Sequence, residues 1–245
     1  MSEKLHPTSY NLPPGLLLID KPAGMTSHDV VDRVRRIFKT RRVGHAGTLD
    51  PFATGLLIVG VGAATKELSK YVGLDKTYVA TARLGATSTT GDPEGIITEK
   101  IEVGSLKLGV NGARMPTSNF QLPTSQMIES ALDKFRGGYE QTAPAFSAKK
   151  VHGKKLYELA RRGKLEGVEL PKKRVSIYKI QYTKYTFPFL TFEVSCSSGT
   201  YIRALAQDIG EALGCGAYLT ELRRTKIGEF DIKDAKMLDN QQKYC

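Results

Sequence analysis

The sequence predicts a mixed α+β fold in which a largely antiparallel central sheet is flanked by helices. Three observations predict it. Short apolar runs of strand length alternate with segments of helical periodicity, a pair of strands with a turn between them comes late, and no internal repeat or low-complexity linker interrupts the order. A chain of 245 residues, 40% of them apolar, can bury one sizeable core, so a single domain over 15–245 is expected after a loose arm at 1–14.

The elements follow in order. The arm is polar and proline-bearing and leads into a strand at 16–19. Thr26 starts a helix whose apolar positions Val30, Val31, Val34, Ile37 and Phe38 share one face, while Arg33, Arg35, Arg36 and Lys39 fall largely on others. Residues 56–61 read as a buried strand, 65–72 as a helix, and 77–84 as an alternating strand with Tyr78, Ala80 and Ala82 on one side. The run Gly91-Asp92-Pro93-Glu94-Gly95 is a turn. Met127, Ile128, Ala131, Leu132 and Phe135 place a helix over 125–135, residues 175–185 and 190–196 pair as a hairpin turning at Phe187-Pro188, and a last long helix begins near Thr200.

A formal charge of +11 favours a polyanionic partner, and 11 tyrosines with 9 phenylalanines offer stacking surface for unpaired bases. Net charge alone is weak evidence, so its value lies in where the cations sit. The cysteines, Cys196, Cys215 and Cys245, form no C-x-x-C pair, and His6, His28, His45 and His152 show no ligand spacing with them, so no metal is expected. An odd cysteine count without a signal peptide fits a reducing cytoplasm. The longest apolar runs, 15–19 and 56–61, fall far short of the ~20 residues a membrane-spanning helix needs.

The most informative stretch is Gly44-His45-Ala46-Gly47-Thr48-Leu49-Asp50-Pro51-Phe52-Ala53-Thr54-Gly55. Pro51 pushes Asp50 away from helical dihedrals and itself suits a first helical turn, which predicts a carboxylate held at a strand-to-helix corner. An isolated Asp-Pro reads more readily as a helix N-cap. The wider sequence decides between the two. The stretch resembles the GH-x-G-x-LDP-x-A-x-G segment of the TruB family of tRNA pseudouridine synthases, which carries that family's catalytic aspartate. Leu16-Leu17-Leu18-Ile19-Asp20-Lys21-Pro22-Ala23-Gly24-Met25-Thr26-Ser27 resembles its N-terminal strand and loop, and Asp75-Lys76-Thr77-Tyr78 with Ala82-Arg83-Leu84-Gly85 its tyrosine motif. Ser198-Gly199-Thr200-Tyr201-Ile202-Arg203 and Leu222-Arg223-Arg224 resemble its C-terminal motifs. The match runs in order from about Gly15 to about Arg224, nearly the whole chain.

The resemblance implies the pseudouridine synthase fold and an enzyme that isomerises the T-loop uridine at position 55 of tRNA, with no metal, nucleotide or organic cofactor. It makes Asp50 the nucleophile or ionic stabiliser, and leaves open whether Asp50 attacks C1′, attacks C6 or assists elimination. Arg203 is the guanidinium that would keep such a carboxylate ionised and oriented. Tyr78 and Tyr201 would line the pocket, one of them packing against uracil and able to handle a sugar proton. His45 would shape the space the target nucleotide vacates, Leu222 would touch substrate, and Lys21 would support the loop or bind phosphate.

A uridine inside a folded arm must be flipped out, and backbone contacts must offset its unstacking. Lys149, Lys150, Lys154, Lys155, Arg161, Arg162 and Lys164 fall in a segment resembling the family's mobile thumb, about 139–165. Residues 33–42 and 172–174 carry further cations that could track phosphates. Two departures from the family pattern stand out: residues 107–122 look like an extra loop, and the chain ends soon after Phe230, where bacterial members continue into a small RNA-binding PUA domain, so none is expected here. A monomer is expected. Two other readings fit the same residues: an RNA-binding or tRNA-folding module with incidental catalysis, and a synthase acting on another RNA, such as a guide-directed subunit.

Overall fold

Apolar alternation decides where the first strands lie. The computed structural model describes residues 12–101, 106–108, 114–116, 121–147, 149–151, 153–165 and 167–238. Strand β1 (Leu16–Lys21) sends Leu16 and Leu18 to one side and Ile19 to the other. Helix α1 (Ser27–Ile37) starts where expected because Thr26 is a full capping box: its hydroxyl accepts from the Asp29 N–H at 3.0 Å, and the Asp29 carboxylate accepts from the Thr26 N–H at 2.8 Å. Val30, Val31 and Val34 are its buried face. Strand β2 (Val43–Ala46) returns antiparallel to β3 (Thr54–Val61), which also runs antiparallel to β1. A 3₁₀ turn (Gly62–Glu67) then leads into the short helix α2 (Leu68–Val72) and strand β4 (Lys76–Leu84).

The continuous apolar run in β3 has a direct cause. Leu57 and Val59 pack with Ile19, Val30, Val31, Val34 and Val43, and Leu56 and Ile58 pack with Leu16, Leu18, Leu68 and Phe230. A strand covered on both faces has no solvent side to mark with polar residues. In β4, by contrast, burial alternates residue by residue, with Tyr78, Ala80 and Ala82 inward.

Small pairs follow: β5 (Ala86–Ser88) with β6 (Ile97–Glu99), and β7 (Leu106–Leu108) with β8 (Arg114–Pro116). The extra loop at 107–122 therefore contains one strand pair; much of it lies outside the described residues, as does most of the N-terminal arm. Helix α3 (Ser125–Asp133) is capped by the Thr124 hydroxyl. Strand β9 (Tyr139–Thr142) comes next, then the two-residue strands β10 (Lys150–Val151) and β11 (Lys154–Lys155) and helix α4 (Leu156–Arg161). Strand β12 (Lys172–Val175) pairs antiparallel with β9. The predicted hairpin is present as β13 (Ile177–Thr186) and β14 (Phe189–Cys196), turning at Phe187-Pro188. Helix α5 (Ile202–Ala212) precedes strand β15 (Ala217–Ile227), which the sequence reading did not single out. Strands β16 (Phe230–Asp231) and β17 (Lys236–Met237) complete the order.

The chain divides into two compact units, Met1–Val79 with Leu222–Cys245, and Ala80–Glu221. In the first, the strand order is β4-β15-β3-β1-β17, with β2 on β3 and β16 on β15. In the second it is β13-β14-β4-β15, and α3 packs against β13 and α5. The sheet is mixed and largely antiparallel, with β1 and β17 parallel and β15 and β3 parallel. Among the described residues no helix is long and apolar enough to cross a membrane.

Gly55 shows how tightly β15 meets β3. It pairs with Arg224 at φ +105, and a Cβ there would lie 2.3 Å from the Arg224 carbonyl oxygen. Gly55→Ala is therefore expected to lose about 1–3 kcal/mol for the backbone conformation alone, with the steric clash added, measured as a fall in denaturant midpoint at unchanged m value.

Candidate active site

Asp50 lies in the loop between two antiparallel strands, residues 47–53, and not at a strand-to-helix corner. No helix follows Pro51. The chain makes one tight turn, closed by the Ala53 N–H donating to the Asp50 carbonyl at 3.1 Å, and enters β3 at once because the apolar run from Leu56 is buried on both faces. His45 is likewise in a strand: it belongs to β2, opposite Val59.

The loop's own carbonyls have no ladder partners, and buried side chains supply them. Arg224, 1% exposed on β15, donates Nε to the Leu56 carbonyl at 2.7 Å, Nη2 to Gly47 at 3.0 Å and Nη1 to Thr48 at 3.4 Å. Ser27 handles Leu49 in both directions, accepting from its N–H at 2.9 Å and donating to its carbonyl at 3.2 Å. Lys21, at the end of β1 and fully buried, donates Nζ to the carbonyls of Met25 at 2.6 Å, Pro22 at 2.9 Å and Pro51 at 3.2 Å. The Gly24 N–H also donates to Pro51, at 2.9 Å. Gly47, Thr48, Leu49 and Pro51 are thus all held, and the half-buried Asp50 side chain projects from a fixed backbone. Of the two roles expected for Lys21, the geometry suits loop support: an ammonium with no exposed surface that donates to three carbonyls is poorly placed to take a phosphate. Tyr78 on β4 is 8% exposed and Leu222 on β15 is 6% exposed, in the same sheet. Burial, together with the positive charges of Arg224 and His28, pushes the His45 imidazole below its usual range, so it is neutral at pH 7.

The other expected residues belong to the second unit. Arg203, in the first turn of α5, is 5% exposed; Nη1 donates to the Thr90 carbonyl at 2.7 Å and lies 3.2 Å from the Asp92 carboxylate, and Nη2 donates to the Phe146 carbonyl at 3.1 Å. Asp92 is itself held, accepting from the Thr90 hydroxyl at 2.5 Å and the Glu94 N–H at 3.1 Å. Tyr201 is the N-cap residue of α5 and lines a cavity with Gln141, Ala143, Lys149 and Lys173. In the lysine-rich segment, Lys149, Lys154, Arg161 and Arg162 are exposed, while the ammonium of Lys155 and the guanidinium of Arg161 lie 5.4 and 5.7 Å from the Tyr157 ring centre. The side chain of Lys150 lies outside the described residues. Among the described residues no group of His, Cys, Asp and Glu could hold a metal ion.

Residues 35–110 and 107–202 match the TruB family pseudouridylate synthase (N terminal domain), and residues 203–244 match the tRNA pseudouridylate synthase B C-terminal domain. The chain belongs to the TruB family. It is 47% identical over 231 residues to the tRNA pseudouridine synthase B of Mycolicibacterium paratuberculosis, covering 93% of this chain and 72% of that protein. The protein of the same name from Mycobacterium tuberculosis is 44% identical over 229 residues, with 93% and 71% covered. Among solved structures, an H/ACA ribonucleoprotein bound to a substrate RNA containing 2′-deoxyuridine superimposes with a TM-score of 0.63 at 25% identity, over 91% of this chain and 51% of that one. An archaeal box H/ACA ribonucleoprotein gives 0.61 at 26% identity, again over 91% and 51%. The TruB family chain therefore spans about half the length of those two solved chains.

Three residues escaped the sequence reading of this TruB family chain. Arg224 stands in a quoted motif whose weight fell on Leu222, Asp92 reads only as a turn residue, and Gln141 sits in no pattern. Only burial and partners mark them. His45 supplies a pH prediction. Its folded-state titration is depressed and the unfolded imidazole takes up its proton near about pH 6.5. The unfolded chain therefore binds the extra proton first as pH falls below that value, and stability drops. His45→Gln should flatten this part of the stability-versus-pH curve; a curve of unchanged slope would remove His45 from it.

Proposed function

We propose that this chain isomerises the T-loop uridine of tRNA, position 55, to pseudouridine, with Asp50 as the acting carboxylate and 15–245 as the catalytic domain. The observation that carries the reading is the Asp50 turn, held at four backbone positions by Arg224, Ser27, Lys21 and Gly24, in a chain of the TruB family. The names of relatives at 44–47% identity support tRNA as the substrate.

The reaction breaks the N1–C1′ bond, turns the base and forms a C5–C1′ bond; N1 gains a proton and C5 loses one, with nothing oxidised. Breaking a glycosidic bond builds positive charge on the sugar, which glycosidases meet with two carboxylates, one serving as acid and the other as nucleophile or base. Here the base returns to the same ribose, so a water-activating partner would be harmful and one carboxylate in a dry pocket suffices. Attack at C1′, attack at C6 and elimination all call on the same ionised Asp50 held by a rigid turn. Arg203 would hold charge and orientation at the site, and Tyr78, Tyr201, His45 and Leu222 would line it. Lys149, Lys150, Lys154, Lys155, Arg161 and Arg162, in a thumb at about 139–165, would neutralise phosphates while the uridine is flipped out.

A synthase acting on another RNA is a second reading, favoured by the likeness to the two H/ACA ribonucleoproteins. A pseudouridine assay on an unmodified tRNA transcript and on a bare T-arm stem-loop separates the two. Product on both with wild type, and none with Asp50→Asn at retained tRNA binding, is the expected result; product only when another RNA is supplied favours the second reading. An RNA-folding module would instead keep its activity in Asp50→Asn. Replacing Lys149, Lys150, Lys154 and Lys155 with alanine should weaken tRNA binding and lower the slope of log Kd against log salt by about 1 for each phosphate that is no longer neutralised. An unaltered slope would sink the thumb assignment.

A further inference from the structure

Gln141 is 2% exposed on β9, and its amide meets both main-chain polar groups of Tyr201. Oε1 accepts from the Tyr201 N–H at 2.8 Å, and Nε2 donates to the Tyr201 carbonyl at 3.0 Å. These two bonds fix which end of the amide is oxygen, since a flipped side chain would set donor against donor and acceptor against acceptor. The second Nε2 proton goes to the Tyr139 hydroxyl at 2.5 Å. The Asp208 carboxylate interacts with the Tyr139 hydroxyl from α5. Burial and the Asp208 charge push the Tyr139 phenol up, so it keeps its proton.

Asp208 lies on α5, the helix that begins directly after Tyr201. Two hydrogen bonds thus tie the N-cap of α5 to Gln141 on β9, a third ties Gln141 to Tyr139, and Tyr139 in turn faces Asp208 of the same helix. That cap has no side-chain hydrogen bond of its own, so Gln141 takes over its polar groups from outside. A second tie joins the same parts: Arg203, on the first turn of α5, donates to the carbonyl of Phe146, seven residues before Gly153 and within the segment that starts at β9.

We infer that Gln141 is a positioning residue, which sets the backbone of Tyr201, and through the first turn of α5 the side chain of Arg203, from the base of the 139–165 segment. The inference rests on the reading in which Tyr201 and Arg203 line the uridine site. Gln141 itself need touch no substrate.

The test compares Gln141→Leu and Gln141→Glu with wild type on an unmodified tRNA transcript, measuring kcat, KM, tRNA Kd and melting temperature. A misplaced reacting group lowers kcat by about 10- to 100-fold, while KM and Kd stay within about threefold. Gln141→Glu keeps the acceptor for the Tyr201 N–H but loses the donor to the Tyr201 carbonyl. Protonating the new carboxyl restores one donor, so the variant-to-wild-type ratio of kcat should rise as pH falls; the other groups facing this position, Tyr139, the Asp208 carboxyl that burial pushes up, and Lys149, Lys172 and Lys173 around the same cavity, are common to both proteins and drop out of the ratio. Gln141→Glu is nearly isosteric and keeps the comparison decisive if Gln141→Leu does not fold. A folded variant with wild-type kcat, or a loss confined to KM, overturns the inference. Wild type that makes no pseudouridine overturns the functional reading on which it rests, and is told apart by that lack of product before any variant is compared.

Discussion

A buried guanidinium bonded to main-chain carbonyls is the interaction on which the candidate site depends. Arg224 has almost no exposed surface, and three carbonyl oxygens, of Gly47, Thr48 and Leu56, receive its protons. Burying a cation is costly unless its hydrogen bonds are made, and a loop carbonyl without a ladder partner is costly too. Each removes the other's penalty. The same exchange occurs at Lys21, whose ammonium joins Pro51 to Pro22 and Met25. A turn built this way is rigid without being part of a helix or strand, which is what a single acting carboxylate requires.

The second unit uses the device with neutral and charged groups mixed. Gln141 satisfies both polar groups of Tyr201, and Arg203 bonds to the carbonyls of Thr90 and Phe146 with the Asp92 carboxylate beside it. Asp50 and Tyr201 sit where backbone leaves regular structure, while Tyr78, Leu222 and His45 lie in strands and Arg203 in the first turn of α5. The residues that hold them come from neighbouring strands and helices.

Much of this was legible in the sequence, for identifiable reasons. The helix after Thr26 showed its apolar face at helical spacing, β4 alternated cleanly, and the Phe187-Pro188 turn separated two strand-like runs. The corner at Asp50 was misread because Asp-Pro signals a helix start locally, while the decision was made by the apolar run after it, which needs cover on two faces. Strand β15 escaped because its eleven residues show no clean alternation: Ala217, Tyr218 and Leu219 are buried in a row, and Arg224, a charged residue, is 1% exposed. Asp92 and Gln141 were invisible for the same reason: a buried polar residue is marked by its partner, and the partners are distant in sequence. The motifs could name Asp50, Tyr78 and Arg203 by resemblance. They could not say what holds them.

Distance along the chain has a further consequence for Arg224. Its three carbonyl partners precede it by 168, 176 and 177 residues. Contacts of that separation close late, since the loop entropy between them must be overcome first. During synthesis, the Asp50 turn emerges early and then waits through most of translation for the arginine that fixes it, so an unfinished chain carries the carboxylate without the means to aim it.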